Sequence, residues 1–380
     1  MLPIFVLSLP GFSFAQKYDA LRCRPLKSFM RNLAGWGDAE FAALKSPGTG
    51  TAAVTPEGPA FRALWERLSL ERNERIGAGS YIFETRRGQI ERFLKDFDKA
   101  ISAPIPVFDA KRLDGYSKKL KPLDLVYACR IVLGLTSVAN YFIAEKKYDD
   151  AVRMHLLLYR FGQAVAAGEG EPSSFECFEA GHAIRSASAE KALKIIAFRG
   201  PFLKSGAVFY LEALRKISAD ARGEMAFADL VKGQRLNMRR FFEEIPGAFE
   251  KKAAKMDRKQ KNSRMKNIRA VTGKIAGVYD AAYSKEIEIL ASRAGDPAAF
   301  KSASEAVRYS AAAGRSEILR SSAFEPTDEF HSFMAALGFP DPGAFLDKFT
   351  QSGIKTRGLS LVCKIAARYM KYGELPFKYY

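Results

Sequence analysis

Apolar residues recur along this chain at intervals of three and four, and that interval governs nearly every segment from about residue 60 onward. Phe61, Leu64, Trp65 and Leu68 make one stripe, and Ile90, Phe93, Leu94, Phe97 and Ile101 make the next. Met265, Ile268, Val271, Ile275 and Val278 make another further along. At 3.6 residues per turn this spacing lines up one face of a helix, whereas the alternation of a half-buried strand is nearly absent. The pattern predicts an all-α fold, an irregular array or bundle of paired antiparallel helices.

Breakers divide the pattern. Pro104 and Pro106 in "SAPIPVFDA" cannot continue a helix. Asp296-Pro297 and Asp341-Pro342 each place a capping carboxylate before a proline suited to the first helical position, so a helix is predicted to start at each. Residues 46–60, "SPGTGTAAVTPEGPA", are rich in Gly, Pro and Thr and read as a linker. The expected division is a signal peptide at 1–15, a short helical piece at 16–45, the linker at 46–60 and a main helical domain at 61–380.

The stretch "YFIAEKKYDDAVRMHLLLYRFGQ", Tyr141 to Gln163, reads as the end of one helix, a turn and the start of another. Set against the 34-residue tetratricopeptide hairpin, Ala139 and Phe142 take the small and aromatic positions of the first helix, Tyr148 the turn position and Ala151 the small position of the second. His155, Leu158 and Gln163 depart from that pattern, and no second copy follows at the fixed period. The expectation is one tetratricopeptide-like hairpin near the middle of the chain, with an ordinary antiparallel pair as the alternative.

Longer landmarks occur in a definite order. "IERFLKDFDKAISAPIPVFDA" precedes this hairpin, and "FECFEAGHAIRSASAEKALKIIA", "DARGEMAFADLVKGQ" and "RGLSLVCKIAARYMKYGELP" follow it. In that order the chain resembles, over about residues 60 to 380, a diffuse group of exported or membrane-anchored helical bacterial proteins without assigned function. The resemblance implies a helical fold and brings no catalytic residues with it.

Composition changes the picture in two respects. Lys and Arg number 60 against 42 Asp and Glu, so the net charge of +18 sets up a field that attracts anions. The first fifteen residues, "MLPIFVLSLPGFSFA", carry no charge and end in Ser13-Phe14-Ala15, a small-residue cleavage pattern, although the usual basic start is missing. They predict export to the periplasm, or membrane anchoring if they are retained. Past them, the longest uncharged apolar run, Ile131 to Ala144, is shorter than the ~18 residues a bilayer span needs. Cys23, Cys129, Cys177 and Cys363 are too scattered for a zinc knuckle or a disulfide framework and read as helix-packing residues.

The chemistry-bearing residues form no recognised set. Glu179 and His182 make an E-x-x-H pair of the kind di-iron bundles use, but such bundles need a second pair, and Asp328-x-x-His331 lies near a predicted helix start. His182 therefore reads as a surface or capping histidine and His155, among three leucines, as a residue of a helix seam. There is no G-x-S-x-G elbow, and "GAGS" and "GTGTAA" lack the Gly-Lys-Ser/Thr ending of a phosphate loop. Glu224, Glu243 and Glu244 are the acids a cell-wall hydrolase or lyase reading would call on. No catalytic, cofactor or metal residues are assigned.

The most uneven feature is "EKKAAKMDRKQKNSRMKNIRAVTGK", where ten Lys or Arg face a single Asp between Lys251 and Lys274. Lys251, Lys252, Lys255, Arg258, Lys259, Lys261, Arg264 and Lys266 are the candidate anion-binding residues. The segment has no aromatic residues, which disfavours stacking on single-stranded bases. The functional expectation is a non-enzymatic exported scaffold or binding protein whose partner is a protein or envelope component. The alternatives are an anion-binding module for lipid, acidic glycan or nucleic acid, and the hydrolase or lyase. Nucleic acid fits an exported chain least.

Overall fold

The computed structural model describes residues 72–102, 125–167, 174–219, 226–293 and 295–373. The expected signal peptide, N-terminal piece, linker and Phe61 to Leu68 stripe lie outside the described residues. Those described form eleven helices and no strand, as the apolar periodicity requires. In order they are α1 (Arg72–Lys95), α2 (Phe97–Ser102), α3 (Leu125–Ala144), α4 (Tyr148–Ala167), α5 (Phe175–Arg199) and α6 (Ala207–Ser218). Then follow α7 (Phe227–Lys252), α8 (Arg258–Ser292), α9 (Pro297–Arg320), α10 (Glu329–Ala336) and α11 (Pro342–Tyr372).

Capping residues set several of these boundaries. Asp296 accepts a hydrogen bond from the Ala299 amide at 2.9 Å and Asp341 from the Ala344 amide at 3.1 Å, so both Asp-Pro pairs start helices as predicted. Asp328 accepts from the Phe330 amide at 2.8 Å and opens α10, and Gly373, with φ of 69°, closes α11 in the left-handed conformation. The stripe from Ile90 to Ile101 does not make one continuous helix, because a turn at Asp96 separates α1 from α2. Aspartate competes for local backbone hydrogen bonds and is a poor interior helix residue. Ile90, Leu94, Phe97 and Ala100 are nevertheless all buried, so the face survives the break.

Three clusters of buried residues make the core. The first gathers residues from α1 to α6 together with Cys363 and Ala367 of α11. The second lies among α7, α8, the end of α9 and α10, centred on Phe242, Ile245, Ile268, Ile275 and Phe330. The third is aromatic: Phe175 stacks on Phe345 with ring centroids 4.2 Å apart, and Phe227 meets Phe300 edge-on at 5.9 Å. It draws together α5, α7, α9 and α11 between the other two. The 31-residue α11 thus enters the third cluster at its start and the first near its end.

The α3–α4 hairpin exists, with Glu145 to Lys147 as its turn and Lys146 in the left-handed region at φ 57°. Ala139, Phe142 and Ala151 are fully buried, and Tyr148 packs against the same core. Its packing does not single out a tetratricopeptide unit from an ordinary helix pair. Gln163 is buried, donating to the Ile217 carbonyl at 2.9 Å and accepting from Arg160 at 3.0 Å, so it ties α4 to α6. A close helix crossing joins α4 to α5, where Gly162 and Gly181 face each other: a Cβ on Gly162 would lie 2.7 Å from the Gly181 carbonyl oxygen. Only residues without side chains allow the backbones so near.

Candidate functional site

Helical geometry sorts the basic segment into two populations. The helix α8 starts at Arg258, with Asp257 as its cap accepting from the Lys259 amide at 3.1 Å. Met265, Ile268, Val271, Thr272 and Ile275 are buried along one side of it. At about 100° per residue, positions 261 and 264 fall near that side, whereas 258, 259, 266, 269 and 274 fall away from it. The side chains follow this division. Lys261 reaches Glu250 at 3.4 Å, and Arg264 pairs with Asp328 at 2.8 Å while lying over the Phe324 ring at 5.6 Å. Both link α8 to its neighbours.

Arg258, Lys259, Lys266, Arg269 and Lys274 are exposed. Among the described residues Arg258, Lys259, Lys266 and Lys274 have no ion-pair partner, and Arg269 reaches Glu250 only at 3.6 Å with most of its side chain in water. The side chains of Lys251, Lys252 and Lys255 lie outside what is described. Of the eight nominated cations, then, three remain on a common outer face, two turn inward, and Arg269 and Lys274 extend the face. Continuing the helical wheel from Arg258 through position 274 identifies both additions from sequence.

The residues considered for catalysis or metal binding are distributed along helix seams. Glu179, His182 and Arg185 stand one turn apart on α5 and meet Lys348, Ser352 and Thr356, spaced four apart on α11. His182 is neither a surface nor a capping residue: it is half-buried, with its Nδ1 2.8 Å from the Ser352 hydroxyl. Burial, reinforced by the like charges of Arg185 and Lys355, pulls its pKa down to about 4. The Glu179 carboxylate pairs with the Lys348 ammonium. His331 sits at the start of α10, its amide 3.4 Å from the Asp328 cap. His155 is buried at the α4 seam, neither ring nitrogen has a hydrogen-bond partner among the described residues, and burial pulls its pKa to about 3. Among the described residues no group of three His, Cys, Asp or Glu could hold a metal ion.

Glu243 and Glu244 are exposed on α7, and Glu224 lies outside the described residues. Cys177 and Cys363 are buried in α5 and α11, as helix-packing cysteines are. Two acids overlooked in the sequence tie α8 to neighbouring helices instead. Asp280 of α8 receives Arg235 and Arg239, four apart on α7; burial opposes its ionisation, but the two guanidiniums overcome this and hold it well below the usual carboxylate range. Glu286, one turn beyond Tyr283, is fully buried and accepts a hydrogen bond from the Ser304 hydroxyl on α9. Burial first, and the nearby Asp341 carboxylate, push its pKa up. Its signal in the sequence is an acid continuing the apolar series Ile275, Tyr279, Ala282 and Tyr283.

No family model, curated protein or solved structure matches the chain.

Proposed function

We propose that the chain is an exported, non-enzymatic helical scaffold that binds a protein or envelope component, and that it contacts anionic groups through the outer face of α8. The observation that carries the anion-binding surface is the division within the basic segment. Lys261 and Arg264 are held by acids of the fold. Arg258, Lys259, Lys266 and Lys274 are exposed on the outer side of α8 and have no ion-pair partner among the described residues. Solvated lysines and arginines in a row present donors to phosphate, sulfate or carboxylate groups and add to one another's field.

Binding of the full chain to soluble polyphosphate, followed against salt concentration, tests the surface. The dependence of log K on log salt steepens with each anion neutralised. Replacing Arg258, Lys259, Lys266 and Lys274 together by Gln should weaken binding and flatten that dependence while folding is kept. Replacing Lys261 and Arg264 should lower thermal stability and leave the dependence unchanged. If the four-residue variant keeps the parent's affinity and salt slope, the outer face of α8 is a solvated helix surface and nothing more.

A further inference from the structure

The last half of α11 has two apolar sides, and only one is used by the fold. Cys363 and Ala367 are buried, with Leu359 and Ala366 packed beside them in the first core. On the opposite side Ile354, Leu361, Val362, Tyr369 and Tyr372 are 51 to 63% exposed. Positions 354, 358, 361, 365, 369 and 372 share one face of a helix, and this stripe runs for about 27 Å. Five cations border it, all exposed: Lys355, Arg357, Lys364, Arg368 and Lys371. From Ile354 to Gly373 there is no acid.

We propose that this face of α11 docks onto the interfacial region of an anionic lipid bilayer, with the helix lying in the plane of the surface. An apolar stripe flanked by Arg357, Lys364, Arg368 and Lys371 on one side and Lys355 on the other suits that boundary: the stripe leaves water for the acyl edge, and the cations stay level with the headgroup phosphates. Tyr369 and Tyr372, at the end of the stripe, are amphipathic rings suited to the same depth. Among the described residues no helix is long and apolar enough to cross a membrane, so this contact is a surface one.

Charge decides among the occupants. A second copy meeting this face through a two-fold axis would bring five cations and no acid against the same set, which opposes association. Residues 16–45 of the chain carry six Lys or Arg against three Asp or Glu and repeat the same sign. An anionic bilayer supplies both the apolar phase and the opposite charge. This inference stands apart from the α8 surface, which has cations but no apolar stripe beside them.

The test uses the full chain carrying Leu361→Trp, compared with the parent, and vesicles of phosphatidylcholine with about 30% phosphatidylglycerol. The added indole should shift to the blue with these vesicles and much less with phosphatidylcholine alone. The contact should survive salt that abolishes polyphosphate binding, because its apolar part is unscreened. Leu361→Asp with Tyr369→Asp should reduce vesicle binding about tenfold or more, since each acid must enter the apolar boundary. The same variant should keep the parent's thermal midpoint and polyphosphate affinity. Failure on α8 would remove polyphosphate binding alone. The inference is overturned by an unshifted indole with anionic vesicles, by undiminished binding of the double Asp variant, or by a blue shift that needs only higher protein concentration and so reports a second copy.

Discussion

Glu286 occupies a position where the apolar series of α8 calls for another hydrophobe, and the structure keeps it dry. Its pKa is raised above the ordinary 4.5, so the folded state holds the proton more tightly than the unfolded chain does. The stability this contributes is complete below that value and is lost as pH rises through the raised one. Glu286→Gln keeps the size of the side chain and an oxygen for the Ser304 hydroxyl while removing the charge. The variant should be about 1 kcal/mol more stable than the parent at pH 8, with the gap closing toward pH 4. Urea unfolding at several pH values checks this. The histidines act in the opposite sense. With pKa values depressed to about 3 for His155 and about 4 for His182, both are neutral when folded, and stability falls as pH drops from 6.5 toward those values.

At the scale of the element, the seams depend on residues that periodicity alone does not grade. Gly181 and Gly273 are both mid-helix glycines, yet a side chain on Gly181 would strike the Ala166 backbone whereas one on Gly273 meets nothing within 4 Å. Gly181→Ala should therefore destabilise by about 2 kcal/mol through overpacking at the α4–α5 crossing. Gly273→Ala should stabilise by up to about 1 kcal/mol by restricting the unfolded chain and favouring the helix. Thermal midpoints measured side by side separate the two effects. Helix starts were legible wherever the cap is covalently close to the helix it opens, as at Asp296 and Asp341. The break at Asp96 was less so, because the apolar face continues through it.

Across the whole molecule, α11 and the aromatic cluster join the α1–α6 core to the α7–α10 core. Phe345 lies at that junction, stacked on Phe175 and 5.7 Å from Phe178 edge-on. Phe345→Ala should cost about 3 to 5 kcal/mol by leaving a cavity among rings. It should also reduce the coupling of the two cores, so that urea unfolding followed by circular dichroism broadens or splits relative to the parent. A single transition of unchanged midpoint and steepness would show that the junction is not held by this ring.

The helical class and the inward face of α8 follow from the order of residues alone, because a 3.6-residue period needs only neighbours along one helix to be read. The same local rule identifies α8 as cation-rich and, once the wheel is drawn, separates positions 261 and 264 from 258, 259 and 266. It does not say which acids receive Lys261 and Arg264; Glu250 and Asp328 come from other helices. His182 read locally as a surface or capping residue, yet it meets Ser352 at a distance of 170 residues along the chain. The two-sided character of α11 belongs to the same category. Sequence shows apolar residues on two opposite sides of its last half, and only the packing of Cys363 and Ala367 into the first core shows which side is spoken for. Burial, pairing and exposure are relations between segments, and they exist only once the chain has folded and brought distant residues into contact.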